Sequence, residues 1–139
     1  MPRLTRWFIK SSLIFFLAAL LSGLIMAARP TLNLPAWVSV FGPVYFHMFL
    51  VGWVTQLIFG VVFWMFPKFS MEQPRGSEFL GWATFGLLNI GLLMRVVGEP
   101  LLSLRPGSGE GWLLAVSALL QWAAGLTFVW NTWSRVKEK

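Results

Sequence analysis

The sequence predicts an all-α integral membrane protein: a four-helix bundle with both termini on the cytoplasmic side. Three observations carry that expectation. The composition is strongly apolar, four stretches have about the length that crosses a bilayer, and Lys and Arg are divided unevenly between the connections. Of the 139 residues, 57% are hydrophobic and 12% charged, and the mean hydropathy is +0.70, whereas a soluble domain carries about a quarter charged residues. A water-soluble globular domain is thereby excluded, because only in lipid can the outer surface be as apolar as the core.

The four expected spans cover about residues 7–28, 44–66, 79–102 and 112–134, and together they make one domain over residues 1–139. The first follows Arg3, Arg6 and Lys10 and ends before Arg29-Pro30. It resembles a secretory signal, but the residue three before a cut after Ala28 is Met26, which is not small, and the sequence starts at Met1. We therefore expect a retained first helix. Pro43 precedes the second span and Pro67-Lys68 follows it; Pro100 falls late in the third, and Pro106-Gly107-Ser108-Gly109 precedes the fourth. Gly23, Gly52, Gly60, Gly86, Gly91 and Gly125 lie within spans, where small residues let helix backbones approach closely.

Orientation follows from the connections. Arg3, Arg6, Lys10, Lys68, Arg75, Arg135, Lys137 and Lys139 give eight positive charges on one side, against Arg29 and Arg105 on the other. Positive charge stays inside, so both termini are expected in the cytoplasm, and a bacterial inner membrane is the expected location. Trp37, Tyr45 and Trp112 suit the outer interface, and Trp7, Trp64, Trp82, Trp130 and Trp133 the inner one. The net charge of +6 thus reports topology, not a nucleic-acid partner. With no cysteine there is no disulfide, thiolate metal site, Fe–S cluster or covalently attached haem.

Few polar side chains fall within the spans: His47, Gln56, Asn89, Arg95, Glu99 and Gln121. In lipid each is a functional candidate. Aspartate is absent, which removes a paired-Asp site, and no serine has a base and an acid in a triad-like arrangement. His47 is the sole histidine; its imidazole offers a nitrogen to a metal or haem iron, or else hydrogen-bonds a neighbouring helix. Arg95 and Glu99 are spaced i,i+4 and share a helix face at about the membrane level of His47. Either they form an ion pair that lets two costly charges coexist, or Arg95 binds an acidic ligand group such as a haem propionate. Gln56, Asn89 and Gln121 fall near the midplane and are expected to join helices by hydrogen bonds. Met26 and Met48 are soft ligands by type, though methionines in apolar helices usually pack.

The segment Tyr45-Phe46-His47-Met48-Phe49-Leu50-Val51-Gly52-Trp53, followed by Ile58-Phe59-Gly60 and Phe66-Pro67, resembles the second transmembrane helix of the large subunit (subunit I) of haem–copper oxidases and nitric oxide reductases. In that family the helix runs from outside to inside, which is the direction the Lys and Arg distribution gives here. Its early histidine is an axial ligand of the low-spin haem. The resemblance covers about 25 residues closely and implies that His47 holds a b-type haem near the outer face. The family's second haem ligand and its copper histidines lie on later helices that this sequence does not contain, so no stand-alone catalytic activity is expected.

These features suggest a membrane b-haem protein for electron transfer or gas binding, with His47 as axial ligand, Arg95 near the propionates and Glu99 beside them. The second position on iron would come from Met48, water, a partner subunit, or His47 of a second copy in a symmetric homodimer. The alternative is an accessory or assembly subunit of a respiratory membrane complex without its own cofactor. A transporter or channel is disfavoured, since no series of charged residues marks a pathway.

Overall fold

A computed structural model describes residues 1–72, 74–107 and 109–136; Ser108, Lys137 and Lys139, invoked above for a turn and for the basic tail, lie outside the described residues. Four helices are long and apolar enough to cross a membrane: α1 (Arg3–Ala28), α2 (Ala36–Met65), α3 (Glu78–Leu104) and α4 (Gly111–Trp133). Among the described residues there is no strand.

The helices alternate in direction. One apolar cluster joins Leu4 and Phe8 near the start of α1, Phe63 near the end of α2, Leu88 of α3 and Ala124 in the second half of α4. The two termini therefore share one end of the bundle. A second cluster, Ala19, Val44 and Met48, fills the α1–α2 seam toward the opposite end. The inner helices α2 and α3 bury more of their length than α1 and α4, which leave long apolar faces for lipid.

The second helix starts earlier than the sequence suggests. Residues Ala36–Phe41 form a 3-10 turn that leads into the α-helical segment Gly42–His47, with Pro43 in its first turn. Proline is tolerated there because a first-turn N–H has no intrahelical partner to lose. Directly after His47 the helix widens: Met48–Thr55 is π-helical, and the Thr55 hydroxyl donates to Leu50 O at 2.9 Å. The extra residue in such a turn shifts the face that follows, a device frequent at functional sites.

Close approach is built from glycine at several of the expected positions. A Cβ on Gly52 would meet Phe15, and one on Gly60 would meet Phe8, each at 2.7 Å; on Gly91 it would lie 3.0 Å from Ser117 O of α4. Gly86 and Gly125 depart from the expectation: nothing lies within 4 Å of a Cβ there, so neither is a packing contact within this chain. Their sequence context resembles that of the others, but they point away from neighbouring helices.

The connection from α2 to α3 is pinned to α4. Ser77 caps α3, its hydroxyl accepting from Leu80 N–H. Asn131 Oδ1 accepts from Ser77 N–H at 2.9 Å and Asn131 Nδ2 donates to Ser77 O. Gly76 precedes this clamp with φ +74°, a conformation costly for any residue with a Cβ, and the Cβ would collide with Asn131. Next to it Arg135 is fully buried and donates to the carbonyls of Phe63, Phe66 and Pro67. These are carbonyls at and just beyond the C-terminus of α2, where intrahelical donors run out. Arg135 thus caps a neighbouring helix; the basic-tail reading of the sequence did not anticipate that. Burial and the nearby Arg75 lower its pKa from the ordinary guanidinium value.

Candidate functional site

At the end of the bundle away from the termini, three helices contribute to one polar cluster. His47 comes from α2, Arg95 and Glu99 from α3, and Ser117 and Gln121 from α4. The i,i+4 spacing stacks Arg95 and Glu99 on the same face of α3, and Gly91, one turn before Arg95, lets α4 come close enough for Ser117 to join them.

The imidazole is held on both sides. His47 Nδ1 lies 2.9 Å from Pro43 O and 3.0 Å from Glu99 Oε1. Both are acceptors, so the geometry places the proton on Nδ1 and the lone pair on Nε2. Arg95 Nη1 donates to that Nε2 at 3.3 Å and to Glu99 Oε1 at 3.3 Å. Arg95 Nε donates to Ser117 Oγ, whose own proton goes to Gly91 O at 2.6 Å, while Gln121 Nε2 donates to the same Ser117 oxygen. One hydroxyl thereby joins α3 and α4.

Exposure is graded through the cluster. The Glu99 side chain is 8% exposed, Arg95 18% and His47 26%, so the imidazole is the most open of these three. Glu99 Oε2 is buried without a hydrogen-bond partner. A carboxylate so placed is sustained by the adjacent guanidinium, since an isolated charge in a span is costly.

The structure brings His47, Arg95 and Glu99 together, as their matched depth suggests. Met48 does not join them. It is buried against Ala19 and Val44 in the α1–α2 seam, because neighbouring residues on a helix point about 100° apart. Met26 lines an apolar recess between α1 and the start of α2, also apart from the cluster. Of the midplane polar residues, Gln56 donates across to Phe8 O of α1 at 3.5 Å, as expected of an interhelical link. Asn89 instead donates to Phe85 O of its own helix, so it does not join helices, and Gln121 acts through Ser117. Ser117 itself escaped the sequence inventory; the available signal was its i,i+4 spacing to Gln121.

By residue type the cluster offers a single nitrogen donor of the kind that ligates iron, His47 Nε2. Histidines that hold a metal almost always donate the other ring N–H to a carbonyl or carboxylate, which is what Nδ1 does here. Iron at Nε2 would use the lone pair that now accepts from Arg95, so ligation requires the Arg95 side chain to turn away from the ring. Among the described residues no group of three or more His, Cys, Asp or Glu is placed to hold a metal ion. No protein-family model, curated protein or solved structure matches the chain.

Proposed function

We propose that this chain is a b-type haem-binding protein of a bacterial inner membrane, related to the large subunit of haem–copper oxidases, with both termini in the cytoplasm. His47 is the axial ligand. The observation that carries this reading is the fixed imidazole: Nδ1 is held by Pro43 O and Glu99 Oε1, which orients the ring and leaves Nε2 as the basic nitrogen. Arg95 supplies a cation that, once turned from Nε2, can pair with a propionate. Glu99 keeps that cation in place through its carboxylate.

Bound haem supplies one-electron transfer or an open position for a small gas. The protein contributes ring orientation, charge neutralisation and an apolar surround. With one histidine in the sequence, the chain fills one axial position. His47 of a second copy across a two-fold axis, a respiratory-complex subunit or water would fill the other. A reduced-minus-oxidised visible spectrum of protein expressed with ample haem tests the reading: a Soret band that disappears in His47→Ala is expected. Absence of the band in the unsubstituted protein refutes it.

A second reading rests on the same contact that haem would have to break. Because Arg95 Nη1 already donates to Nε2, the cluster is closed and ties α2, α3 and α4 together without a cofactor. That suits an accessory or assembly subunit of a respiratory complex. It predicts no pigment, co-purification with the complex, and only a change in stability on His47→Ala.

A further inference from the structure

At the membrane end that carries the termini, a cavity of about 290 Å³ is lined by Arg3, Arg6, Trp7 and Lys10, with no acidic residue in its lining. All four side chains are exposed, and none of the three cations makes a side-chain hydrogen bond or ion pair among the described residues. Topology alone needs positive charge somewhere in this segment; it does not require three unpaired cations to converge with an indole on one cavity. At ~30 Å³ per water the space equals roughly ten waters, enough for a glycerophosphate headgroup.

The same helix face continues with a different character. From Arg3, Arg6 and Lys10, steps of three or four residues lead to Leu13, Leu17, Leu20 and Leu24, all exposed. The side of α1 that packs into the bundle is the opposite one, through Leu4, Phe8, Ser12 and Ala19. One uncovered stripe is therefore cationic at its end and aliphatic along its length, which matches the charge and shape of an amphiphile lying parallel to the helix.

We propose that this stripe is a binding site for one anionic phospholipid, its phosphate held between Arg3, Arg6 and Lys10 and its acyl chains along Leu13 to Leu24. Trp7 sits at headgroup level, where its indole N–H can donate to phosphate or ester oxygen. Arg3 also lines a neighbouring cavity that contains Glu78 and Arg75, where acid and base offset each other; the unopposed charge is on the Arg6–Lys10 side. Each cation near an anionic headgroup is worth about fivefold in affinity, so the two unopposed ones, Arg6 and Lys10, give a preference of roughly twenty-five-fold over a zwitterionic lipid.

The test uses full-length protein in detergent, incubated with an equimolar mixture of dioleoyl phosphatidylglycerol and dioleoyl phosphatidylcholine and examined by native mass spectrometry. One retained phosphatidylglycerol is expected, favoured at least about tenfold over phosphatidylcholine. Arg6→Gln should lower its retention about fivefold, while Lys68→Gln, an exposed cation outside the cavity, should leave it unchanged. Phosphatidylglycerol should also raise the melting temperature where inorganic phosphate at equal concentration does not. The proposal is overturned by equal retention of the two lipids, by equal losses in Arg6→Gln and Lys68→Gln, or by equal stabilisation from inorganic phosphate. The comparison of lipids on the unsubstituted protein needs no variant to fold.

Discussion

Replacing Arg135 by Met probes a structural role that looks, in sequence, like a topological charge. The guanidinium is fully buried and donates to Pro67 O at 3.0 Å, Phe63 O at 3.1 Å and Phe66 O at 2.9 Å. Methionine retains much of the volume but no donor, so three carbonyls at the end of α2 lose charged partners. Hydrogen bonds to charged groups are worth about 1.5–3 kcal/mol each, which sets a ceiling of about 4.5–9 kcal/mol. Water reaching this end of the bundle re-satisfies some of those carbonyls, and the expected net cost is about 2–4 kcal/mol. Arg135→Lys, which keeps the charge but not the planar fork, should recover part of it. The measurement is reversible unfolding in mixed micelles followed by tryptophan fluorescence, with Trp130 and Trp133 close to the change. A cost below about 0.5 kcal/mol for Arg135→Met, the level of an ordinary surface substitution, would refute the capping argument.

Other expectations follow from particular contacts. Gly91→Ala should destabilise by about 1–3 kcal/mol in the same assay, since the new Cβ meets backbone Ser117 O at 3.0 Å, whereas Gly86→Ala, with nothing near its Cβ, should be neutral or stabilising by about 0.5–1 kcal/mol. Glu99→Gln leaves Arg95 without its counter-charge and should cost about 2–4 kcal/mol, somewhat less than a fully buried pair because Arg95 is partly exposed. Adding Arg95→Met should recover much of that loss, and equal instability of the double and single variants would count against the pair as mutual neutralisation. Ser77→Ala removes the cap of α3 and should cost about 1 kcal/mol, read from the shift in the unfolding midpoint. In the haem reading, Arg95→Gln should retain less haem than the unsubstituted protein, measured as the ratio of Soret to 280 nm absorbance.

The four spans were legible because a bilayer imposes a local rule: each crossing needs about 20 apolar residues, and that is a property of contiguous sequence. The start of α2 was misjudged since Pro43 reads as a boundary, although a 3-10 turn can deliver the chain into a first-turn proline. The π-helical stretch Met48–Thr55 had no sequence signal comparable to that proline. Likewise Gly86 and Gly91 are both glycines in one span, and only the position of α4 separates an open one from a packing contact.

The site shows the same division. That His47, Arg95 and Glu99 lie at one depth follows from counting residues at about 1.5 Å each along a helix. That Nδ1 faces Glu99 and Nε2 faces Arg95, that Ser117 completes the cluster and that Met48 turns to α1 depend on rotation about helix axes. The sequence by itself determined that four segments are long and apolar enough to span a membrane, and the approximate position of each rare polar residue along them. Only the tertiary structure decided which of those residues meet and that Arg135 is a buried cap, because lateral packing joins residues far apart in the chain and no periodicity within one helix specifies its neighbour.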